Sequence, residues 1–353
     1  MGWADPGCYG STQNVTPNID RLAQEGLRFT SFYATQAVCT SSRTALMTGC
    51  YPNRLGLGGT ALGPNSKVGL SNDEQTLGTL LRDAGYHTGV VGKWHLGDAP
   101  RFLPPAHGFD DSMILPYSND MWPLGYAVGD ETRRKMYPEL PRYVNGHPMG
   151  FVRDWADMDE LTTAQALRAV RFIHDSAGKD KPFFLYLATS MPHTPLGASS
   201  DFKGKFATPY ADTLADIDRA VGAVMKALRD KEVDRQTLVI FSSDNGPWLN
   251  FGRHAGSAGP FREGKGTTFE GGVRVPFIVR WPGVVKPGSR TAALAANIDV
   301  VPTVVEACGA TRPKHDIDGR SFLGLLKGSA EGARETFAYF YGDRLEACLL
   351  YTS

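Results

Sequence analysis

The sequence predicts an α/β fold with a mostly parallel sheet that helices cover on both faces. Segments with helix-type spacing alternate with short, wholly apolar segments of the kind that form buried strands. Polar clusters follow directly after several of those strands, and 42% of the 353 residues are hydrophobic. Strands buried on both faces are typical of parallel sheets, and a chain of this length can bury a large core.

The first part of the chain contains clear start and stop signals for helices. Thr16 followed by Pro17 is typical of a helix N-terminus, and Gly26 is placed to end that helix. We expect a second helix over residues 73–84, followed by a strand over residues 87–91.

The second part repeats the alternation. A helix predicted over residues 159–175 precedes the apolar strand 183–188, and a helix predicted over 209–231 precedes the apolar strand 238–241. Residues 104–153 show little helix or strand pattern, which is typical of a functional insertion.

Aromatic side chains in and beside that insertion have two interpretations. They could form a wall that stacks on a sugar, or they could anchor the segment to the core, and the second is slightly favoured. These residues are Trp122, Tyr126, Tyr137, Tyr143 and Trp155.

Composition excludes several classes of function. With 37 basic and 37 acidic side chains the net charge is zero, so no basic face for a nucleic-acid partner is expected. Five irregularly spaced cysteines indicate neither a disulfide framework nor a zinc site. No apolar run is long enough for a membrane span, and residues 1–6 lack the pattern of a signal peptide.

Polar residues directly after the predicted strands are candidates for a site, because ligands of open α/β sheets bind beyond the carboxyl ends of the strands. In chain order they are Lys93 with His95, then His193, then Asp244 with Asn245. Each has an ordinary explanation alone: a solvated pair, a rigid turn between prolines, and an Asp-Asn-Gly turn. Their joint occurrence at successive strand ends favours one functional site.

Residues 38–49 are the most informative run of the chain. They place Cys39 four residues before Arg43 at a predicted junction of loop and helix. A helix N-terminus presents backbone N–H groups and partial positive charge, which favour an anionic nucleophile or substrate. By itself a lone cysteine is more often a buried structural residue.

The same run resembles the signature of the sulfatase family, Cys-x-Pro-Ser-Arg followed after a spacer by Thr-Gly, with Ser41 at the proline position. The segments that resemble the arylsulfatase A-like branch are residues 7–10, 16–23, 26–30 and 264–274, and residues 62–67 and 116–120 strengthen that assignment. The resemblance thus extends over nearly the whole chain. It implies an α/β/α sandwich of the alkaline phosphatase and sulfatase type.

In that family the cysteine is oxidised after translation to formylglycine, whose hydrated aldehyde attacks the sulfur of a sulfate ester. The resemblance implies that Cys39, as formylglycine, is both nucleophile and metal ligand, and that Arg43 holds the hydrated aldehyde. Asp244 and Asn245 would bind one divalent cation, and oxygen ligands favour Ca²⁺ or Mg²⁺.

The resemblance also implies roles for the other polar residues. Lys93 and Lys265 would bind the sulfate oxygens and offset the charge of the transition state. His95 would take a proton from the formylglycine hydrate, and His193 would protonate or hydrogen-bond the leaving oxygen. Ser118 is a weaker candidate for contact with the sulfate or the nucleophile.

Both ends of the sequence depart from the family pattern. Sulfatases carry two metal-binding aspartates at the end of their first strand, and this sequence begins just after the matching position. We therefore expect the first strand to be absent and activity to be impaired. We assign residues 1–335 to the catalytic domain and residues 336–353 to the start of a small C-terminal subdomain that is mostly absent, and we expect both ends to reflect an incomplete gene sequence.

The predicted function is formylglycine-dependent hydrolysis of a sulfated sugar or an aryl sulfate. It implies a formylglycine-generating or anaerobic sulfatase-maturating enzyme as partner and a periplasmic or extracellular location. One alternative is a truncated, non-catalytic member that binds sulfated ligands through Lys93, Lys265 and Arg43. Another is a phosphate or phosphonate ester hydrolase of the alkaline phosphatase superfamily.

Overall fold

A computed structural model describes residues 1–124 and 135–350. The chain forms two compact units: the first contains Met1–Ala61 and Leu228–Ser353, and the second contains Leu62–Ala227. Each unit combines helices with a sheet, as the predicted α/β class requires.

The helices alternate with strands along both units. The α-helices are α1 (Pro17–Gln24), α2 (Cys39–Thr48), α3 (Leu77–Asp83), α4 (Trp155–Asp159), α5 (Leu161–Ala177), α6 (Pro209–Asp230), α7 (Glu270–Val273), α8 (Val300–Ala307) and α9 (Leu323–Leu326). Short 3₁₀ helices span Gly7–Tyr9, Pro52–Leu55, Pro100–Phe102, Pro104–His107, Asp234–Gln236, Leu249–His254 and Asn297–Asp299.

The strands are mostly short. They are β1 (Leu27–Phe29), β2 (Phe32–Tyr33), β3 (His87–Lys93), β4 (Asp111–Leu115), β5 (Leu140–Val144), β6 (His147–Val152), β7 (Phe183–Ala188), β8 (Val239–Ser242), β9 (Phe277–Arg280), β10 (Ser289–Thr291), β11 (Ala295–Ala296), β12 (Thr336–Tyr341) and β13 (Arg344–Leu350).

The first unit is built on a four-stranded sheet in the order β10-β1-β9-β8. β1 runs parallel to β10 and antiparallel to β9, which pairs antiparallel with β8. An aromatic core packs on this sheet, with the rings of Phe32 and Phe277 stacked at 3.6 Å and Phe29 edge-on to Phe277. Phe277 belongs to β9, which pairs with β8, and the predicted metal-binding residues follow shortly after β8.

A β12–β13 hairpin completes the first unit. Phe337 and Tyr339 of β12 are buried against Tyr33, and Leu349 of β13 packs on the same cluster. The hairpin begins at Thr336, where the predicted C-terminal subdomain also begins, and that division of the chain stays a prediction.

The second unit contains a five-stranded sheet in the order β6-β5-β4-β3-β7. β3 runs parallel to both β4 and β7, whereas β4, β5 and β6 pair antiparallel. β3 and β7 lie so close that a Cβ at Gly92 would stand 2.0 Å from the Ala188 carbonyl oxygen. Gly92 also has a φ of 107°, so only glycine suits this position just before Lys93.

The structure changes several predicted boundaries. The helix predicted over 73–84 begins only at Leu77, because the Thr76 hydroxyl accepts the N–H of Thr79 and caps it there. The helix predicted over 159–175 is α5, which follows α4 directly at Glu160. The strand predicted over 87–91 continues to Lys93.

Residues 104–153 contain strands β4, β5 and β6, although their sequence shows little strand pattern. Pro141 and Pro148 interrupt the strand pattern of β5 and β6, and both strands remain largely half-buried or exposed. Within residues 1–124 and 135–350, none of the helices combines the length and the apolar character that a membrane span needs.

Candidate active site

Cys39 is the first residue of α2 and is only 2% exposed. The first intrahelical hydrogen bond runs from the Ser42 N–H to the Val38 carbonyl, 2.9 Å away, so Cys39 lies in the turn that carries the positive end of the helix dipole. The Cys39 Sγ accepts a contact from Lys265 Nζ at 3.3 Å and lies 3.6 Å from Asn245 Oδ1. The predicted junction of loop and helix is therefore confirmed, and its environment is cationic.

Arg43 lies one helical turn after Cys39 and binds the end of β8. Its Nε and Nη2 both donate to Asp244 Oδ2, at 3.0 Å and 2.9 Å. The two side chains are 7% and 21% exposed, so this ion pair is largely shielded from water. Charge-assisted bonds of this kind fix both partners.

The turn after β8 aims the Asn245 amide at Cys39. The Asn245 Nδ2 donates to the Gly246 carbonyl at 2.8 Å, which leaves Oδ1 facing the thiol. The Gly246 N–H donates to the Gly272 carbonyl at 2.8 Å, and a Cβ at Gly246 would meet the Gly271 oxygen at 1.8 Å. Close packing against residues 271 and 272 thus requires glycine at position 246 of the Asp-Asn-Gly turn.

Lys265 is held by its backbone and by an aromatic ring. Its N–H donates to the Pro247 carbonyl at 2.8 Å, and the next N–H, of Gly266, donates to the Ala37 carbonyl at 3.0 Å. The Lys265 Nζ lies 4.6 Å from the ring centre of Trp248, a cation–π contact. The loop therefore delivers one cation to Cys39 from outside α2.

Two further residues support α2, and sequence reasoning assigned neither to this task. Asn297 donates from Nδ2 to the Ser42 carbonyl and hydroxyl, at 3.0 Å and 2.9 Å, and accepts the Thr35 N–H at 3.2 Å. It directly follows strand β11, a position at which ligands of open α/β sheets bind, so its place after a strand was the sequence feature that could have marked it. The Ser41 hydroxyl donates to the Leu57 carbonyl at 2.7 Å.

The second unit carries Lys93 at the end of β3, where it is 1% exposed and donates from Nζ to Ser118 Oγ at 3.1 Å. His95, two residues later, has a φ of 62°, a left-handed conformation that costs energy for a residue with a side chain. Its Nε2 lies 2.9 Å from the Leu62 carbonyl. A carbonyl only accepts, so Nε2 carries the hydrogen and Nδ1 is the nitrogen that can accept a proton.

His193 shows the opposite tautomer. Its Nδ1 lies 2.7 Å from the Thr194 carbonyl, so Nδ1 carries the hydrogen and Nε2 is the nitrogen that exchanges a proton. The Asp120 carboxylate stands 3.9 Å from the same Nδ1. The two histidines are therefore prepared for proton transfer at different ring atoms.

The nine predicted site residues fall into two groups. In the first unit, Cys39, Arg43, Asp244, Asn245 and Lys265 form one contiguous cluster. In the second unit, Lys93 contacts Ser118, His95 follows Lys93 by two residues, and His193 contacts the segment that continues from Ser118.

Three comparisons with known proteins bear on this arrangement. The family described as Sulfatase matches residues 1–310. The chain is 39% identical over 355 residues to arylsulfatase A of Bos taurus, an alignment that covers 97% of this chain and 68% of that protein. The chain belongs to the sulfatase family. It is also 37% identical over 366 residues to N-acetylgalactosamine-6-sulfatase of Canis lupus familiaris, with 99% of this chain and 68% of that protein covered.

A solved sulfatase from Pseudoalteromonas sp. resembles this sulfatase-family chain with a TM-score of 0.91 and 32% identity, over 99% of this chain and 75% of that one. This likeness confirms the predicted fold class of the alkaline phosphatase and sulfatase type. The homologues support sulfuric ester hydrolase activity. The activity class predicted from residues 38–49 is therefore supported by likeness that extends over nearly the whole chain.

The described aromatic residues include clear anchors. Trp122 is fully buried, donates from Nε1 to the Val152 carbonyl at 2.8 Å, and packs edge-on against Trp155. These contacts favour the anchoring interpretation for this pair. Tyr126 lies outside the described residues.

Proposed function

We propose that this chain hydrolyses a sulfate ester with position 39, converted from cysteine to formylglycine, as the nucleophile. The observation that carries the proposal is the environment of Cys39. The residue is buried at the first position of α2, with Lys265 Nζ 3.3 Å from its Sγ. A hydrated formylglycine would supply an oxygen nucleophile for the sulfur of the ester.

The residues of the first unit favour negative charge at this point. Lys265 supplies an ammonium group and the α2 N-terminus supplies oriented N–H groups, and both stabilise an anionic sulfate and the charge that develops as its ester bond breaks. Arg43 holds Asp244 through two hydrogen bonds, which fixes the carboxylate within the cluster and pairs its charge with a cation.

The donor set of the cluster suits a hard divalent cation. Asp244 and Asn245 offer a carboxylate and an amide oxygen, and oxygen ligands favour Ca²⁺ or Mg²⁺. Within the described ranges, no group of three or more His, Cys, Asp or Glu side chains is arranged to hold a metal ion. We propose that Asp244, Asn245 and the residue at position 39 would hold one face of one such ion, which would offset the charge of the sulfate.

The residues of the second unit take the roles that the resemblance implies. We propose that Lys93 binds a sulfate oxygen, with Ser118 holding its ammonium group. His95 accepts a proton at Nδ1, because its Nε2 hydrogen is committed to the Leu62 carbonyl. His193 donates a proton to the leaving oxygen from Nε2, because its Nδ1 hydrogen is committed to the Thr194 carbonyl. General acids of this kind accelerate such steps by about 10²–10⁴-fold.

The names of the relatives support a sulfated sugar or an aryl sulfate as the substrate class. One relative is an N-acetylgalactosamine-6-sulfatase, and one structure with 32% identity to this chain holds a neocarrahexaose. The proposal requires a formylglycine-generating or anaerobic sulfatase-maturating enzyme as partner. A periplasmic or extracellular location stays a prediction of the resemblance.

Turnover of aryl esters tests the proposal directly. The chain is co-expressed with a maturating enzyme, the peptide containing position 39 is analysed by mass spectrometry, and hydrolysis of nitrophenyl sulfate and nitrophenyl phosphate is compared. We expect the mass loss that accompanies conversion of the thiol to an aldehyde, and faster hydrolysis of the sulfate ester than of the phosphate ester. In Cys39→Ala, both the mass loss and the sulfate hydrolysis should be absent.

Other outcomes identify the alternatives. Faster hydrolysis of the phosphate ester would make the chain a phosphate or phosphonate hydrolase. Saturable binding of a sulfated ligand without turnover, by a chain fully converted at position 39, would favour the non-catalytic binder.

A further inference from the structure

Residues 118–120 form a short segment of three consecutive polar side chains that each contact a different part of the second unit. Ser118 accepts from Lys93 Nζ at 3.1 Å. Asn119 contacts the backbone of the His193 loop, and Asp120 contacts the His193 ring. Of these three residues, Ser118 alone was given a possible site role from the sequence.

Asn119 holds the backbone of the His193 loop by hydrogen bonds. It is fully buried, and its Nδ2 donates to the carbonyls of His193 and Pro195, at 3.1 Å and 3.0 Å. Its Oδ1 is buried without a hydrogen-bond partner among the described residues. Burying an amide oxygen without a hydrogen bond costs free energy. Asn119 therefore contributes to the structure through the two hydrogen bonds that its Nδ2 donates.

A second buried amide holds the other end of the same loop. Gln165 donates from Nε2 to Ser190 Oγ at 2.8 Å and accepts the Ser190 N–H at 3.0 Å. Gln165 therefore makes as many hydrogen bonds to the loop as Asn119 does. Its bonds are to Ser190, three residues before His193. Substitutions of Gln165 and Asn119 therefore compare the loss of support for the loop in general with the loss of support at His193 itself.

Asp120 acts on the ring of His193. Its carboxylate lies 3.9 Å from Nδ1, the nitrogen that donates to the Thr194 carbonyl. A carboxylate at this distance favours the protonated imidazolium over the neutral ring. A positive charge would act in the opposite sense, and Lys93 brings one to Ser118 in the same segment.

We propose that Asn119 and Asp120 are positioning residues for His193: Asn119 fixes the backbone that carries the ring, and Asp120 keeps the ring protonated and oriented through Nδ1. Their effect is to present the Nε2 proton in one direction. The catalytic part of this inference rests on the proposed role of His193 as the acid for the leaving group. The positioning itself does not depend on that role.

Titration of His193 by NMR tests the positioning without any assay of activity. The His193 resonance is assigned by comparison with His193→Gln, and its pKa is measured in the unmodified chain and in Asp120→Asn. We expect the pKa to fall by about one unit in Asp120→Asn, because the nearby negative charge is removed while the shape is kept. An unchanged pKa would overturn the role of Asp120.

Kinetics with aryl sulfates of rising phenol pKa test the consequence for the reaction. An acid matters most when the leaving group is poor, so we expect Asn119→Ala to lower kcat about 100-fold for phenyl sulfate and much less for nitrophenyl sulfate, with KM little changed. Gln165→Ala should change kcat for either ester by about threefold or less. Equal losses in the two variants would mean general loop support and would overturn the role of Asn119.

The pH profile separates this inference from the proposed function. An acid must be protonated, so activity falls as pH rises through the His193 pKa, and Asp120→Asn should move that fall to lower pH by about one unit. Wild-type activity that does not require His193 would refute the proposed acid and leave the NMR result to support the positioning. Activity that requires His193 but keeps its pH profile in Asp120→Asn would refute the inference alone.

Discussion

The Cys39 cluster of the first unit and the His193 region of the second unit hold their functional side chains by different means. In the first, charged side chains hold one another: Arg43 binds Asp244 twice, and Lys265 lies against the Cys39 thiol. In the second, His193 donates from its ring to a backbone carbonyl, and buried amides hold its loop.

The difference indicates that the first region fixes the local charge, whereas the second fixes the position of a proton on a ring. Ion pairs set the local charge and hold the two charged groups against each other. Hydrogen bonds to carbonyls set which ring nitrogen carries the proton, which charge alone does not decide. Substitutions in the first region should therefore act through charge, and those in the second through orientation and protonation.

The largest effect is expected from removing the charge that orders the first region. Arg43→Met should lower the free energy of unfolding by about 3 kcal/mol, because it removes the guanidinium group that binds the Asp244 carboxylate in a poorly hydrated place. It should also lower kcat for nitrophenyl sulfate by about 100-fold or more. Urea unfolding and initial rates measure the two effects.

The control is Arg54→Met, which removes an ion pair with Asp318 whose side chains are 46% and 26% exposed. We expect a loss of about 1 kcal/mol or less there. Equal losses in the two variants would contradict the view that Arg43 matters because its pair is shielded.

An effect of comparable size on stability is expected from a neutral histidine of the second unit. His107 is fully buried, packs near the Trp94 ring, and has no hydrogen-bond partner for either ring nitrogen among the described residues. Burial lowers the pKa of His107 from 6.5 to about 4. The folded protein thus resists a proton that the unfolded chain accepts, so stability is full above pH 6.5 and is lost progressively as pH falls towards 4.

The expected size of that loss is about 3 kcal/mol. His107→Leu should remove this component, which urea unfolding between neutral pH and pH 4 would show as a flatter dependence than in the wild type. His147→Gln, at an exposed position, should leave the dependence as it is. A variant profile that parallels the wild type would show that His107 does not carry the effect.

A smaller effect is expected at the support of α2. Asn297→Ala should lower the free energy of unfolding by about 2 kcal/mol, because the Thr35 N–H and the Ser42 carbonyl lose a partner in the core. Asn297→Asp keeps an acceptor for Thr35 but turns a carboxylate towards the Ser42 carbonyl. Asn297→Asp should therefore restore little of the stability lost in Asn297→Ala. A stability equal to that of the wild type would show that the hydrogen bonds to Ser42 are dispensable.

The smallest effect is expected at Ser41, which stands where the family motif has proline. Its hydroxyl donates to the Leu57 carbonyl and accepts the Thr60 N–H at 3.1 Å. Ser41→Ala and Ser41→Pro should each lower the free energy of unfolding by about 1 kcal/mol. Mass spectrometry should find at least as much formylglycine at position 39 in Ser41→Pro as in the wild type, and a higher stability of that variant would contradict the role of the hydroxyl.

Much of the fold could be predicted because local patterns carried it. Strand β7 matches the predicted range, and α6 and β8 differ by about one residue at their ends. The antiparallel strands β5 and β6 were missed, because prolines and polar residues hide strands that are only partly buried. The mixed pairing within the two sheets was equally beyond a pattern that shows strands but not partners.

The sequence by itself determined which residue types stand at the ends of strands and at the start of α2. The spacing of Cys39 and Arg43 is one helical turn, and strand periodicity places Lys93 and Asp244 where ligands bind, so local geometry was sufficient. Only the tertiary structure decided the partners. The tautomers of His95 and His193 depend on the carbonyls of Leu62 and Thr194, and every residue carries such a carbonyl, so no residue type marks which one will be used.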